Sequence, residues 1–234
     1  MILKKKKFWT VTKLKKKESK FGILLDNNLL KTPQKKDCLI SNIRIAKDLL
    51  KEWSSIQDDI NFYNMPVTQI CFASLDRKRK EKIILLNKLT EYGMTDLLFY
   101  RDTSGTELEK LQSKKWDNLL DWIQNELDLH FKIVNGIMPV EQPKKNYNTF
   151  FNELEKLDCI SLTALSDIVT LSGSLILGLL LLKKKIISKQ AWSLAKIDEE
   201  WQRSKWGTLP EQVEDDEYKK NKFFISCKLI NLLN

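Results

Sequence analysis

The sequence feature that most constrains the fold is an uninterrupted uncharged run, residues 168–182 (IVTLSGSLILGLLLL). A helix that crosses a bilayer needs about 20 apolar residues, so this run is too short to span a membrane. Three lysines follow it directly, at positions 183–185. We therefore expect one buried helix in the core of a soluble, mainly helical domain, with no membrane insertion.

A second helix is predicted over residues 191–207 (AWSLAKIDEEWQRSKWG). At 100° per residue, one face of this helix is formed by Ala191, Leu194, Ala195 and Trp201. Asp198 falls in the middle of that face, Glu199 flanks it and Glu200 points away. A carboxylate on an apolar face is costly unless it is paired or partly hydrated. Two interpretations follow: Asp198 caps or pairs with a neighbouring element, for example through Lys205, or the acidic edge meets a partner protein.

The balance of charged residues leaves two further interpretations open. The net charge is +9, yet only five of the 40 basic residues are arginine. Proteins that read nucleic acids usually rely on arginine and on stacking aromatic side chains. The scattered lysine runs are therefore typical of a solvated surface, and a basic nucleic-acid-binding protein is the alternative function.

The motifs of common enzymes are missing from the sequence. It contains no GxSxG nucleophile elbow and no GxxxxGK[ST] phosphate loop. The four cysteines lie far apart, and His130 is the single histidine, so metal-site spacing is absent and the thiols are expected to be free. We expect no catalytic residue, no metal and no cofactor, which favours a binding or assembly role over an enzyme.

The predicted fold class is α+β, with a small N-terminal α+β domain (1–76) and a larger, mainly helical C-terminal domain (77–234). The first domain should hold a strand at 8–12, a hairpin joining 22–25 to 29–32, and a helix at 41–56 that buries Ile45, Leu49 and Trp53. Further helices are predicted at 65–74, 78–92 (with Gly93 just past its end), 106–127, 147–157 and 217–233, the last after a loop at 207–216. Residues 108, 111, 119, 122 and 123 should be the inward positions of the helix at 106–127.

The first seven residues form a basic segment with four lysines, at positions 4–7, and no apolar segment of a secretory signal follows them. Together with the lysine-rich composition, this predicts a bacterial cytoplasmic protein. We expect it to be a monomer.

Eight segments together resemble one family, and their order and spacing carry the match. These segments are LLDNNLLKTP (24–33), EW (52–53) with Gln57, MPVT (65–68), YGMTDLLFYR (92–101), WDNLLDW (116–122), GIMPVEQP (136–143), LSGSLILGLLLL (171–182) and DEEWQRSKWG (198–207). They are similar to the "ATP-twelve" family, the assembly chaperones of the ATP synthase catalytic head. Val67 and Met94 depart from the family pattern, and lysine and asparagine replace its acidic, alanine-rich surface.

The resemblance implies a protein that holds the free α subunit of the catalytic head and prevents its aggregation before it pairs with β. No nucleic acid would then be a partner. It also implies that Asp198, Glu199 and Glu200 contact the partner, with Trp201 and Trp206 anchoring their helix. The segment 92–101 would form the joint between the domains through an ion pair of Asp96 with Arg101, and Trp53 is expected to have a structural role.

Overall fold

The computed structural model describes residues 5–207 and 210–234 and confirms an α+β fold. The N-terminal part contains the strands β1 (Lys5–Lys6), β2 (Thr12–Lys17), β3 (Lys20–Leu25), β4 (Asn28–Leu29) and β5 (Asp59–Ile60), and the helices α1 (Ile43–Ser54) and α2 (Pro66–Asp76). The remainder contains α3 (Arg79–Met94), β6 (Tyr100–Arg101), α4 (Glu107–Leu127), β7 (Val134–Asn135), α5 (Lys144–Glu155), α6 (Cys159–Ser172), α7 (Leu175–Leu182), α8 (Ser188–Ala195), α9 (Ile197–Trp206) and α10 (Pro210–Leu233). The predictions for residues 1–4 and 208–209 lie outside the described residues.

The N-terminal sheet is an antiparallel meander of β2, β3 and β4, and β1 pairs separately with β5. Leu14 of β2 lies opposite Ile23 of β3, which is fully buried. The predicted hairpin is present, with β3 paired to β4, but the strand predicted at 8–12 begins only at Thr12. Trp9 is buried instead as a core side chain of the segment that precedes β2.

Helix α1 buries the predicted residues Ile45, Leu49 and Trp53 against this sheet. Its N-cap is Asn42, one residue after the predicted start at 41, because the Asn42 side chain accepts hydrogen bonds from two backbone amides of the first turn. Near the other end of α1, the Glu52 carboxylate accepts from the backbone amides of Val67 and Thr68, each at 2.8 Å. The free amides at the start of α2 are thereby satisfied, and the two helices are fixed to each other.

A single helix was predicted for the apolar run at 168–182, but the run belongs to two helices. Helix α6 ends at Ser172, where Gly173 adopts a left-handed conformation with φ 72°. Ser174 then caps α7, since its hydroxyl oxygen accepts a hydrogen bond from the amide of Leu177 at 3.0 Å. Most of the run is nevertheless buried, and every residue of α7 from Leu175 to Leu181 belongs to the core.

The longest helices surround this buried pair. Helix α10 packs along α6 and also contacts α2, α7 and α8, while α3 packs on α5, α6 and α7. Gly93 lies inside α3, not after it as predicted, and close packing explains a glycine there, since a Cβ atom would come within 2.6 Å of Leu175. Helix α10 begins at Pro210, inside the predicted loop at 207–216.

Contacts also cross the predicted domain boundary at residue 76. Helix α2 packs on α6 and α10, which both lie beyond the boundary. On the C-terminal side of the boundary, the Arg77 guanidinium donates to the Thr163 hydroxyl at 3.0 Å. Asp76 is buried on the other side of the boundary and accepts from the Thr32 hydroxyl at 2.6 Å. The division into 1–76 and 77–234 stays a prediction.

No helix in the described part of the chain combines the length and the apolar character that a membrane crossing requires. The four cysteines are free, and burial raises the pKa of the Cys38 and Cys227 thiols to about 12.

Candidate protein-binding site

The predicted acidic helix is divided into α8 and α9, with the break at Lys196. The consequence is that Asp198, Glu199 and Glu200 all lie in the first turn of α9, where the unpaired backbone amides of a helix favour negative charge. Arg203 and Lys205 lie in its last turn, where positive charge is favoured. We call Asp198, Glu199 and Glu200 the acidic turn.

Asp198 is half-buried and holds α9 against α4. Its carboxylate accepts a hydrogen bond from Gln112 Nε2 at 2.7 Å, and Gln112 Oε1 accepts from the backbone amide of Asp102 at 2.8 Å. Burial raises the pKa of Asp198, and the hydrogen bond from Gln112 opposes that rise. The first interpretation, that Asp198 pairs with a neighbouring element, is thus correct. The suggested partner is wrong, since the donor is Gln112 and the Lys205 ammonium instead lies 3.8 Å from Glu107.

Glu199 and Glu200 face outward. The Glu199 side chain is 46% exposed, and its carboxylate accepts a hydrogen bond from the Lys196 ammonium at 2.8 Å. Glu200 is exposed as well. The acidic turn therefore has one residue, Asp198, that stabilises the fold, and two whose carboxylates are accessible to another molecule.

The two tryptophans of α9 differ in their surroundings. Trp201 is half-buried beneath the Lys205 ammonium, which lies 4.7 Å from the centre of its ring. Trp206 is 80% exposed at the last residue of the helix, so it cannot anchor α9 as predicted. An exposed indole of this size is instead a large apolar contact surface presented to solvent.

A cleft of about 550 Å³ separates α9 from the first half of α10. Glu199 and Trp206 line it together with Lys196, Arg203 and Asp216. A second cleft of about 690 Å³ shares Glu199 and Arg203 and extends to Trp192, Val213 and Phe224. Arg203 forms an ion pair with Asp216 that connects the two walls. The clefts thus combine charged rims with aromatic walls.

The predicted ion pair between Asp96 and Arg101 is wrong. Asp96 is fully buried and accepts hydrogen bonds from the backbone amides of Leu98 and Ile176, at 3.1 and 2.9 Å. It therefore joins the segment after α3 to the start of α7, and burial raises its pKa to about 6. Arg101 donates instead to the Asp117 carboxylate at 2.9 Å, with its guanidinium 4.7 Å from the Trp116 ring.

Trp53, for which a structural role was expected, is buried in the N-terminal part, and its indole nitrogen donates to Thr68 Oγ1 at 3.1 Å.

Sequence reasoning missed Gln112, which connects Asp198 to the rest of the molecule. Of the predicted inward positions of α4, only Ile123 is fully buried. The other buried residues of this helix were not predicted to face inward; they are Gln112, Trp116 and Leu120. These four positions follow helical spacing, so the signal was present, but a glutamine is not counted when apolar residues define the face.

Within residues 5–207 and 210–234, no group of three or more histidine, cysteine, aspartate or glutamate side chains is placed to hold a metal ion. The most elaborate surface feature is the acidic turn beside a partly aromatic cleft. An exposed surface that combines charged and aromatic side chains in this way is typical of proteins that bind other macromolecules.

Comparison with known proteins identifies the family. The model of the ATP12 chaperone protein family matches residues 6–124. The mitochondrial Atp12 protein of Schizosaccharomyces pombe is 26% identical over 96% of this chain and 81% of its own length. The crystal structure of Atp12 from Paracoccus denitrificans is 32% identical and superposes with a TM-score of 0.88 over 98% of both chains. A protein of Agrobacterium tumefaciens is 30% identical, with a TM-score of 0.90 over 98% of this chain and 86% of that one.

The chain belongs to the ATP12 chaperone family, as its motifs predicted. It is an assembly chaperone of the ATP synthase.

Proposed function

We propose that this chaperone binds the free α subunit of the ATP synthase catalytic head and keeps it from aggregating until it pairs with β. A subunit that has not met its neighbours exposes apolar surface, and such surface drives aggregation. A chaperone that covers this surface reversibly needs no chemical step. We therefore propose that the protein acts as a monomeric binding protein and not as an enzyme.

The observation that carries the proposal is the composition of the α9 surface, which is the acidic turn, Trp206 and the cleft beside them. Interfaces usually combine an apolar centre with a polar rim, and tryptophan is enriched among the residues that contribute most to binding. Trp206 supplies exposed apolar area, and Glu199 and Glu200 supply accessible negative charge on the same helix. The matching surface on the α subunit would be apolar with a basic rim.

The test measures light scattering while unfolded α subunit is diluted into buffer with or without the chaperone. The wild-type chaperone should suppress the scattering, and Glu199→Lys should do so only at a concentration about tenfold higher, since reversing a charge at an interface costs roughly 1–2 kcal/mol. Glu199 is exposed, so the fold should be unaffected.

The matched control is Glu91→Lys, the same charge reversal at an exposed position of α3. It should suppress scattering as well as the wild type does. If Glu199→Lys and Glu91→Lys behave alike, the α9 surface is not the binding site.

The alternative function, nucleic-acid binding, is favoured by one observation. The first 36 residues contain 12 lysines and only two acidic residues, and Lys13, Lys15 and Lys16 of β2 are all exposed. A filter-binding titration against RNA and DNA distinguishes the two functions, because phosphate binding weakens steeply with added salt. Our proposal predicts no measurable affinity at about 0.15 M salt, and tight binding there would favour the alternative.

The place of action follows from the function proposed. We propose that it is the compartment in which the catalytic head assembles, which is the cytoplasm in a bacterium. Fractionation of the native cell, with an antibody against the chaperone, tests this.

A further inference from the structure

The loop between β7 and α5 presents apolar side chains to solvent. Ile137 is 95% exposed and Met138 is 76% exposed, and Ile133 just before β7 is 45% exposed. Single exposed apolar residues are common on protein surfaces, but Ile137 and Met138 are adjacent in the chain and both highly exposed, and binding partners often use such apolar surface.

The loop is held firmly at both ends. At its start, β7 pairs in parallel with β6, and the Gly136 amide donates to the Arg101 carbonyl at 2.8 Å. At its end, the buried Gln142 side chain bonds to both backbone groups of Lys132, accepting from the amide at 2.9 Å and donating to the carbonyl at 2.8 Å. Ile137 and Met138 therefore project from a fixed base, which lowers the entropy lost when they are bound.

A short chain of hydrogen bonds connects this base to the α9 surface. Asn135 Nδ2 donates to the Asp102 carbonyl at 2.8 Å, and the Asp102 amide donates to Gln112 Oε1 at 2.8 Å. The other end of the Gln112 amide donates to Asp198 of the acidic turn. The base of the apolar loop and the acidic turn are thus connected through Asp102 and Gln112, near the start of α4.

We propose that Ile137 and Met138 are a second contact element for the client, which insert into apolar surface of the free α subunit while the acidic turn pairs with its basic rim. This inference rests on the proposed function and extends its site from α9 to the loop at 136–141. It explains why the chain holds two adjacent, highly exposed apolar side chains on a fixed base.

The experiment compares the double variant Ile137→Ser/Met138→Ser with the control Ile83→Ser/Ile84→Ser in the scattering assay. Ile83 and Ile84 are 46% and 57% exposed on α3, so the control removes similar side chains from a different face. Both variants should melt like the wild type. The loop variant should need about tenfold more protein for half-maximal suppression, a typical loss for apolar contact residues, and the control should not.

A photo-crosslinking amino acid (p-benzoylphenylalanine) placed at position 138 gives an independent readout. It should join the chaperone to the α subunit, while the same amino acid at position 84 should not. A crosslink between two copies of the chaperone, or loop and control variants that suppress scattering equally, would overturn the inference. If even the wild type fails to suppress scattering, the proposed function itself is wrong, so the two failures are distinguishable.

Discussion

Replacing Asp96 by asparagine should change the pH dependence of stability in a defined way. Burial raises the pKa of Asp96 from 3.8 to about 6, so the folded protein holds the proton of the Asp96 carboxyl group more tightly than the unfolded chain does. The stability that the protonated form contributes is complete below about pH 3.8 and is lost as the pH rises through about 6. A difference of about two pKa units corresponds to ~3 kcal/mol in full, of which about 2 kcal/mol should be lost between pH 4 and pH 8.

Asparagine cannot ionise, so the Asp96→Asn variant should lack this loss. It also places an amide NH2 group where the carboxyl group has its second oxygen, so the backbone amide of Leu98 or of Ile176 loses its acceptor, at a cost of roughly 1–3 kcal/mol. The free energy of unfolding, measured in urea by tryptophan fluorescence, should therefore favour the wild type most at pH 4 and least at pH 8. Asp121→Asn, at an exposed position of α4, is the control. A difference between wild type and Asp96→Asn that stays constant or grows with pH would refute the reasoning, because the amide hydrogen bonds would then outweigh burial.

Three other substitutions test the packing and the site. Gln112→Ala leaves the half-buried Asp198 without its amide donor, so we expect a loss of roughly 1–3 kcal/mol in urea unfolding together with weaker suppression of scattering. Gly93→Ala places a Cβ atom within 2.8 Å of the Phe150 ring, so overpacking of roughly 1–3 kcal/mol should exceed the gain of about 1 kcal/mol from helix propensity, and thermal melting should show the net loss. Trp206→Ala should leave the melting temperature within about 2 °C of the wild type, because the side chain is 80% exposed, yet weaken binding to the α subunit about tenfold in a titration.

Local signals in the sequence predicted the elements whose ends are fixed locally. The spacing of Ile45, Leu49 and Trp53 identified α1 and its buried face. Thr106 marked the start of α4, where its hydroxyl caps the first turn. In both helices the determining residues lie within one or two turns of each other, so periodicity and capping rules suffice.

The breaks in the two long predicted helices depend on contacts that local rules do not include. Gly173 ends α6, but the start of α7 is fixed partly by Asp96, which lies 80 positions away from Ile176 in the chain. No glycine or proline marks the break at Lys196 in the sequence. Just after the break, Asp198 accepts a hydrogen bond from Gln112, which lies far away in the chain. When tertiary hydrogen bonds separate two neighbouring helices, the residue pattern of that segment alone therefore predicts one continuous helix.

The candidate site was predictable in part. The helical period placed Asp198 on the inward face and Glu200 outward, and the structure agrees with both. The same period could not foresee that Trp206 would be exposed, because the core does not reach the last turn of α9. The role of these residues in binding remains a prediction.

The central claim is that the chaperone recognises the α subunit only while its partner surface is uncovered. Size-exclusion chromatography of the purified chaperone with free α subunit, and separately with the assembled catalytic head, tests it most directly. We predict that the chaperone co-elutes with free α subunit and runs alone beside the assembled head. Separate elution from free α subunit, or stable binding to the assembled head, would contradict the account.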